Sequence, residues 1–101
     1  MIVAAGSGFG GKPRPAVVIQ SDQFPSSFSA TLCLFTSGAV DAPLVRLPMA
    51  PSAENGLTRT SWLMVDKIVT VQSSKIDKTV GRLASDDIAR VNEALILFLG
   101  L

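Results

Sequence analysis

Arg14 stands between two prolines, in Lys12-Pro13-Arg14-Pro15. Proline fixes φ, so the backbone on both sides of this arginine is held. A fixed guanidinium presents a planar fork of donors that matches a phosphate group. A solvated basic turn is the plain alternative. Thr36-Ser37-Gly38 places two hydroxyls where an apolar run ends. Such hydroxyls often satisfy nearby backbone groups, and they can equally donate to a ligand. Asp66 interrupts an apolar stretch, as a buried acceptor or as an outward residue on an alternating strand. What is missing narrows the chemistry further. The chain has no histidine and one cysteine, Cys33. The usual acid and base near neutral pH is therefore absent. Ser-His and Cys-His nucleophile pairs are absent too, and the donor set argues against zinc. No metal and no cofactor are expected.

Three further features have competing readings. Gly6, Gly8 and Gly11 match the spacing of a dinucleotide-binding loop, but that loop must run into a helix. Here Lys12-Pro13-Arg14-Pro15 follows, and residues before proline are pushed to extended geometry. A plain glycine loop is the better reading. Phe9, within that loop, is the aromatic best placed to stack on a base. Trp62 sits in an apolar run and is expected in the core, as is Cys33 between Leu32 and Leu34.

The elements that must position these residues are mostly strands. Residues 1–5 read as a short opening strand, and 16–20 as a buried β-branched strand with Pro15 at its entry. Residues 21–29 form a loop with a short turn, 30–36 a strand, and 39–43 a second loop. Residues 44–47 alternate and read as an edge strand stopped by Pro48. A turn over 51–57 centres on Asn55-Gly56. Residues 61–65 and 67–71 are strand-like on either side of Asp66, and 78–81 is a short last strand. Ser85 then caps a helix whose first turn holds Asp86 and Asp87. Its stripe is Ile88, Val91, Leu95, Phe98 and Leu99, and Gly100 ends it. Strands followed by one helix imply a mainly β fold, a small barrel with an appended helix.

The 101 residues fit one domain, expected to span 1–101. Apolar residues make up 48% and charged residues 17%, which is rich for so small a monomer and suggests a second subunit covering part of the surface. The net charge of +1 excludes a global basic field, so any nucleic-acid contacts must be local. A single cysteine rules out an internal disulfide and suits a reducing, cytoplasmic setting. The start, residues 1–5, lacks the basic lead of a secretory signal. The longest apolar stretch, near 94–99, is too short to cross a bilayer, and no membrane partner is expected.

The order of several segments resembles the MazF/PemK (Kid) toxin family. They are Arg14-Pro15-Ala16-Val17-Val18-Ile19, Leu34-Phe35-Thr36-Ser37-Gly38, Asn55-Gly56-Leu57, Val65-Asp66-Lys67-Ile68 and Val80-Gly81-Arg82-Leu83 leading into Ser85-Asp86-Asp87. No one segment is specific; their order over nearly the whole chain is. The family's basic-Gly-acidic lead has no counterpart, so the chain is expected to begin after it. The resemblance implies an SH3-like barrel of the CcdB/MazF plasmid maintenance type and a homodimer. It also implies metal-independent cleavage of single-stranded RNA through the 2′-hydroxyl, and a cognate antitoxin. It maps the central catalytic pair onto Arg14 and Thr36, with Asp66 a third candidate from the PemK branch. That branch has an arginine two residues before the aspartate, where this chain has Met64. Its first-loop histidine has no equivalent here. Lys12, Ser37, Phe9 and Arg59 are the expected RNA-binding residues.

Two other functions compete. A gyrase poison of the CcdB kind shares the barrel but acts through its extreme C-terminus, which here is Phe98-Leu99-Gly100-Leu101 and looks like helix packing and a cap. A catalytically inactive barrel could serve as a binding module, although it would have no need of both Arg14 and Thr36.

Overall fold

The computed structural model describes residues 2–5, 14–24 and 28–101. The glycine loop, Phe9 and Lys12 lie outside the described residues. The described residues form six strands: β1 (Ile2–Ala5), β2 (Arg14–Val18), β3 (Ser29–Thr36), β4 (Arg46–Met49), β5 (Ser61–Gln72) and β6 (Ile76–Gly81). A single 3-10 turn, Ser73–Lys75, joins β5 to β6, and helix α1 (Ser85–Leu99) follows. All pairings are antiparallel, in the order β4-β5-β3-β2-β1-β6.

No ladder joins the outer strands β4 and β6 among the described residues; a turn closes the gap instead. The Arg82 amide donates to the Glu54 carbonyl at 2.9 Å, which brings the loop after β4 against the end of β6. The approach is close enough that a Cβ on Gly56 would collide with the Val80 carbonyl, and one on Gly81 with the backbone of Asn55. Gly56 also has a φ of 71°, a conformation that costs other residues Cβ strain. Asn55 is buried and holds the turn together. Its Oδ1 accepts from the amides of Ser52 and Leu57, both at 2.9 Å, and its Nδ2 donates to the Ala50 carbonyl at 2.9 Å. The Asn-Gly turn expected from the sequence is therefore the clasp between the two ends of an open, barrel-like sheet.

The inner face of the sheet carries the main core: Val17, Cys33, Phe35, Leu47, Leu63 and Val65, covered by Val91 and Ala94 of α1. A smaller cluster of Ala16, Leu32 and Leu34 lies on the opposite face, with Val18, Met64 and Val69 against it. Arg90 of α1 ties the helix to the sheet by donating to the Pro48 carbonyl at 3.1 Å, its side chain held by Asp87 of the same helix at 2.9 Å.

Several local expectations are corrected. The edge strand runs Arg46–Met49 rather than 44–47, with Pro48 inside it. As an outermost strand, β4 has an unpaired side, where a missing N–H costs nothing. The two half-strands around Asp66 are one strand, because extended backbone continues through a local irregularity. The last strand starts at Ile76, not 78. Ser85 is the first helical residue; Ala84 holds the cap position, without a side-chain bond. Gly100 does end the helix, in the left-handed conformation. The helical stripe is only half inward: Val91 and Ala94 are buried, while Ile88, Phe98 and Leu99 are 45–52% exposed. No helix among the described residues is long and apolar enough to cross a membrane.

Candidate active site

Register brings the sequence-predicted pair together. β2 and β3 pair as Ala16↔Leu34, Val17↔Cys33 and Val18↔Leu32. Continuing that register by two residues sets Arg14, the first residue of β2, opposite Thr36, the last of β3. Arg14 is paired on its other side with Ala5. Thr36 is paired with Trp62, and Trp62 with Pro48. One row thus crosses five strands: Ala5, Arg14, Thr36, Trp62, Pro48. Directly opposed residues share a face, with Cβ atoms about 5 Å apart. Phe35 and Leu63, next to this row in sequence, point into the core, so the row faces away from it.

Arg14 is exposed and Thr36 half-buried. The Thr36 hydroxyl oxygen accepts the Gly38 amide at 3.2 Å, which fixes the side chain while leaving its proton free to donate. Ser37 follows at the strand exit, exposed. Arg59 is exposed in the bend before β5, where its carbonyl accepts from the Ser61 hydroxyl at 3.1 Å. Arg14, Thr36, Ser37 and Arg59 therefore gather at one end of the sheet. Trp62, expected in the core, is half-buried and belongs to neither apolar cluster.

Asp66 is drawn towards the same end by the irregularity in β5. Phe35 pairs with Leu63, but Cys33 pairs with Ile68. Residues 64–67 therefore lie opposite Leu34 alone. This bulge shortens the path from Asp66 to the Thr36 row. The carboxylate is not free. Arg46 Nε donates to Oδ1 at 2.8 Å and Nη2 to Oδ2 at 3.2 Å. Those hydrogen bonds hold the Asp66 carboxyl below the usual carboxylate range, against the opposing effect of desolvation. They raise the Arg46 guanidinium in turn. Cys33 is fully buried. Burial pushes its thiol up to about 11, with the charge of Asp66 adding to the effect, so it is a packing residue and no nucleophile.

Arg46 is the residue that sequence reasoning missed. Sequence reading placed it in an edge strand, which is correct. Its partner lies 20 positions away, and only the pairing of Arg46 with Met64 brings the two side chains together. Elsewhere, a groove of about 530 Å³ of mixed lining lies between β2 and α1, with Val17, Ile19, Val91 and Leu95 beside Gln20, Ser21 and Asn92. Its one charged lining residue is Asp22, which makes it unsuited to phosphate.

The family model for PemK-like, MazF-like toxins of type II toxin–antitoxin systems matches residues 3–99. The chain belongs to this family. It is 44% identical over 98 residues to the probable endoribonuclease MazF of Mycolicibacterium smegmatis, covering 97% of this chain and 90% of that protein. Among solved structures it resembles the Mycobacterium tuberculosis toxin MazF-mt6, with a TM-score of 0.82 at 22% identity over 99% of this chain and 96% of the other. A mycobacterial endoribonuclease in complex with its cognate antitoxin superposes with a TM-score of 0.79 at 19% identity, over 99% and 91% of the two chains. These two likenesses establish the fold: a MazF-type sheet with one C-terminal helix.

Proposed function

We propose that this MazF-family toxin is a metal-independent endoribonuclease that cuts single-stranded RNA in the cytoplasm and is restrained by a cognate antitoxin. The observation that carries the proposal is the register that sets Arg14 opposite Thr36 on the outward face. RNA brings its own nucleophile. The 2′-oxygen attacks the adjacent phosphorus, its proton is lost, and the 5′-oxygen of the next nucleotide leaves and takes up a proton. The products are a 2′,3′-cyclic phosphate and a 5′-hydroxyl. No water nucleophile is needed, so the protein has two tasks: hold the in-line geometry and stabilise charge on the phosphate oxygens. Arg14 supplies charge and paired donors, Thr36 a hydroxyl donor, and Ser37 and Arg59 flank them.

Two partners complete the proposal. The exposed apolar end of α1, where Ile96, Leu97, Phe98 and Leu99 are 45–56% exposed, supports a homodimer in which a second copy covers it. The mycobacterial endoribonuclease solved with its antitoxin, on the same fold, supports a protein inhibitor for this chain.

The test is cleavage of total RNA by purified protein in EDTA. Cutting should persist and leave 5′-hydroxyl ends, while DNA and 2′-O-methyl RNA resist. Arg14→Ala should lower the rate by about 10²–10³, with Thr36→Ala close behind. Wild-type turnover by a folded Arg14→Ala protein would refute the proposal, as would gyrase inhibition without RNA cleavage.

A further inference from the structure

We infer that Arg46, held in place by Asp66, is a further contact for the RNA backbone, and that Asp66 is a positioning residue rather than the proton acceptor; the inference rests on the proposed ribonuclease reading. Three observations carry it. The first is placement. Arg46 pairs with Met64, and Pro48, two residues further along β4, pairs with Trp62 in the Thr36 row. Residues two apart on a strand share a face, so Arg46 lies on the outward face that bears Arg14 and Thr36. From β4 to β3 is two strand spacings, about 10 Å. Arg46 also lies two residues, about 7 Å, along the strand from the Thr36 row, so the two positions are about 12 Å apart and Arg46 would meet a different phosphate from the one at Arg14 and Thr36.

The second observation is the hydrogen-bond inventory. A guanidinium has five N–H donors. Asp66 takes one from Nε and one from Nη2. No described residue accepts from Nη1, which leaves that end of the fork for a ligand. The third is restraint. The side chains of Arg46 and Asp66 are 13% and 25% exposed, and the two-point grip fixes the plane of the guanidinium. A preorganised cation loses less freedom on binding phosphate than a free one. The same grip occupies both carboxylate oxygens, the atoms that would have to take the 2′-hydroxyl proton, which makes Asp66 a poor acceptor for it.

The experiment measures binding of an uncleavable 2′-O-methyl oligoribonucleotide across salt concentrations, and the pH profile of cleavage. For single-stranded nucleic acid each phosphate contact contributes about 0.7 to the slope of log affinity against log salt. Arg46→Gln should bind on the order of tenfold more weakly and lose about 0.7 of slope. The double variant Arg46→Gln with Asp66→Asn keeps a neutral hydrogen-bonded pair of similar shape, and it should lose the same slope even if the single variant folds poorly. Arg46→Lys should retain the slope. Asp66→Asn should cleave more slowly with an unmoved pH profile. An unchanged slope in the double variant would overturn the backbone contact. Loss of the acidic limb of the profile in Asp66→Asn would overturn the positioning role. Failure of the wild-type protein to bind the oligonucleotide would remove the ribonuclease reading itself, and this inference with it.

Discussion

Replacing Gly56 by alanine tests whether the Asn-Gly turn holds the two ends of the sheet together, and Gly100→Ala is its natural control. Both glycines have nearly the same backbone, with φ of 71° and 72°. An alanine there costs about 1–2 kcal/mol from the left-handed conformation alone. At Gly100 nothing lies within 4 Å of the added Cβ, so the cost ends there. At Gly56 the Cβ would run into the Val80 carbonyl, and backbone on one side must move. Relief means opening the clasp. That sacrifices the bond from the Arg82 amide to Glu54 and strains the Asn55 side-chain bonds that lock the turn. With two such bonds lost at about 1 kcal/mol each, Gly56→Ala should cost about 3–4 kcal/mol in all. For a domain of this size that is a fall in Tm of roughly 15–25 °C. Urea unfolding at one fixed protein concentration, followed by tryptophan fluorescence, measures both variants. If the two alanines cost the same, the contact with β6 contributes nothing and the clasp is wrong.

The remaining expectations concern charge and assembly. Asp66 has a folded pKa below its unfolded value, so its ionised form favours folding above the ordinary carboxylate pKa of about 3.9, and that stabilisation is lost as pH falls through the folded value. Asp66→Asn should therefore be less stable than wild type at pH 7, with the gap closing below about pH 4; a gap constant with pH would contradict the ion pair. Light scattering at micromolar concentration should report twice the 10.6 kDa chain mass, and Leu97→Glu, on the exposed end of α1, should shift it towards monomer. A monomeric wild type would remove the dimer.

Much of this was legible in the residues. The runs at 16–18 and 67–71 become strands because branched side chains pack well on a pleated surface, while β2 begins earlier, at Arg14, and ends before Ile19. Asn55-Gly56 is a turn, and Gly100 a helix end, because each demands a φ that glycine adopts freely. The pairing of Arg14 with Thr36 was reachable only by resemblance, since register between strands is not written in either strand alone. Arg46 was invisible for the same reason, its partner being set by the β4–β5 register. Trp62 was misjudged because a tryptophan between apolar neighbours looks the same on either face. The side it takes depends on the parity fixed by Leu63 and Val65, which are fully buried. Proline was over-read at position 48: a residue unable to donate can still sit in a strand whose outer side has no neighbour.

Pro48 and the 54–56 turn hinder growth of this sheet at its two edges. A chain laid alongside β4 would meet a position without an N–H, and just past the end of β6 the Arg82 amide is already taken by Glu54. Exposed strand edges template stacking of one copy on the next, which is the route to fibres. With both edges blunted, high local concentrations of the free protein should leave it dispersed rather than polymerised. Any partner must also read side chains on a face instead of extending the backbone ladder. Recognition of that kind is selective by composition, so exchanging a handful of outward residues could redirect which molecules bind without disturbing the hydrogen bonds that hold the sheet.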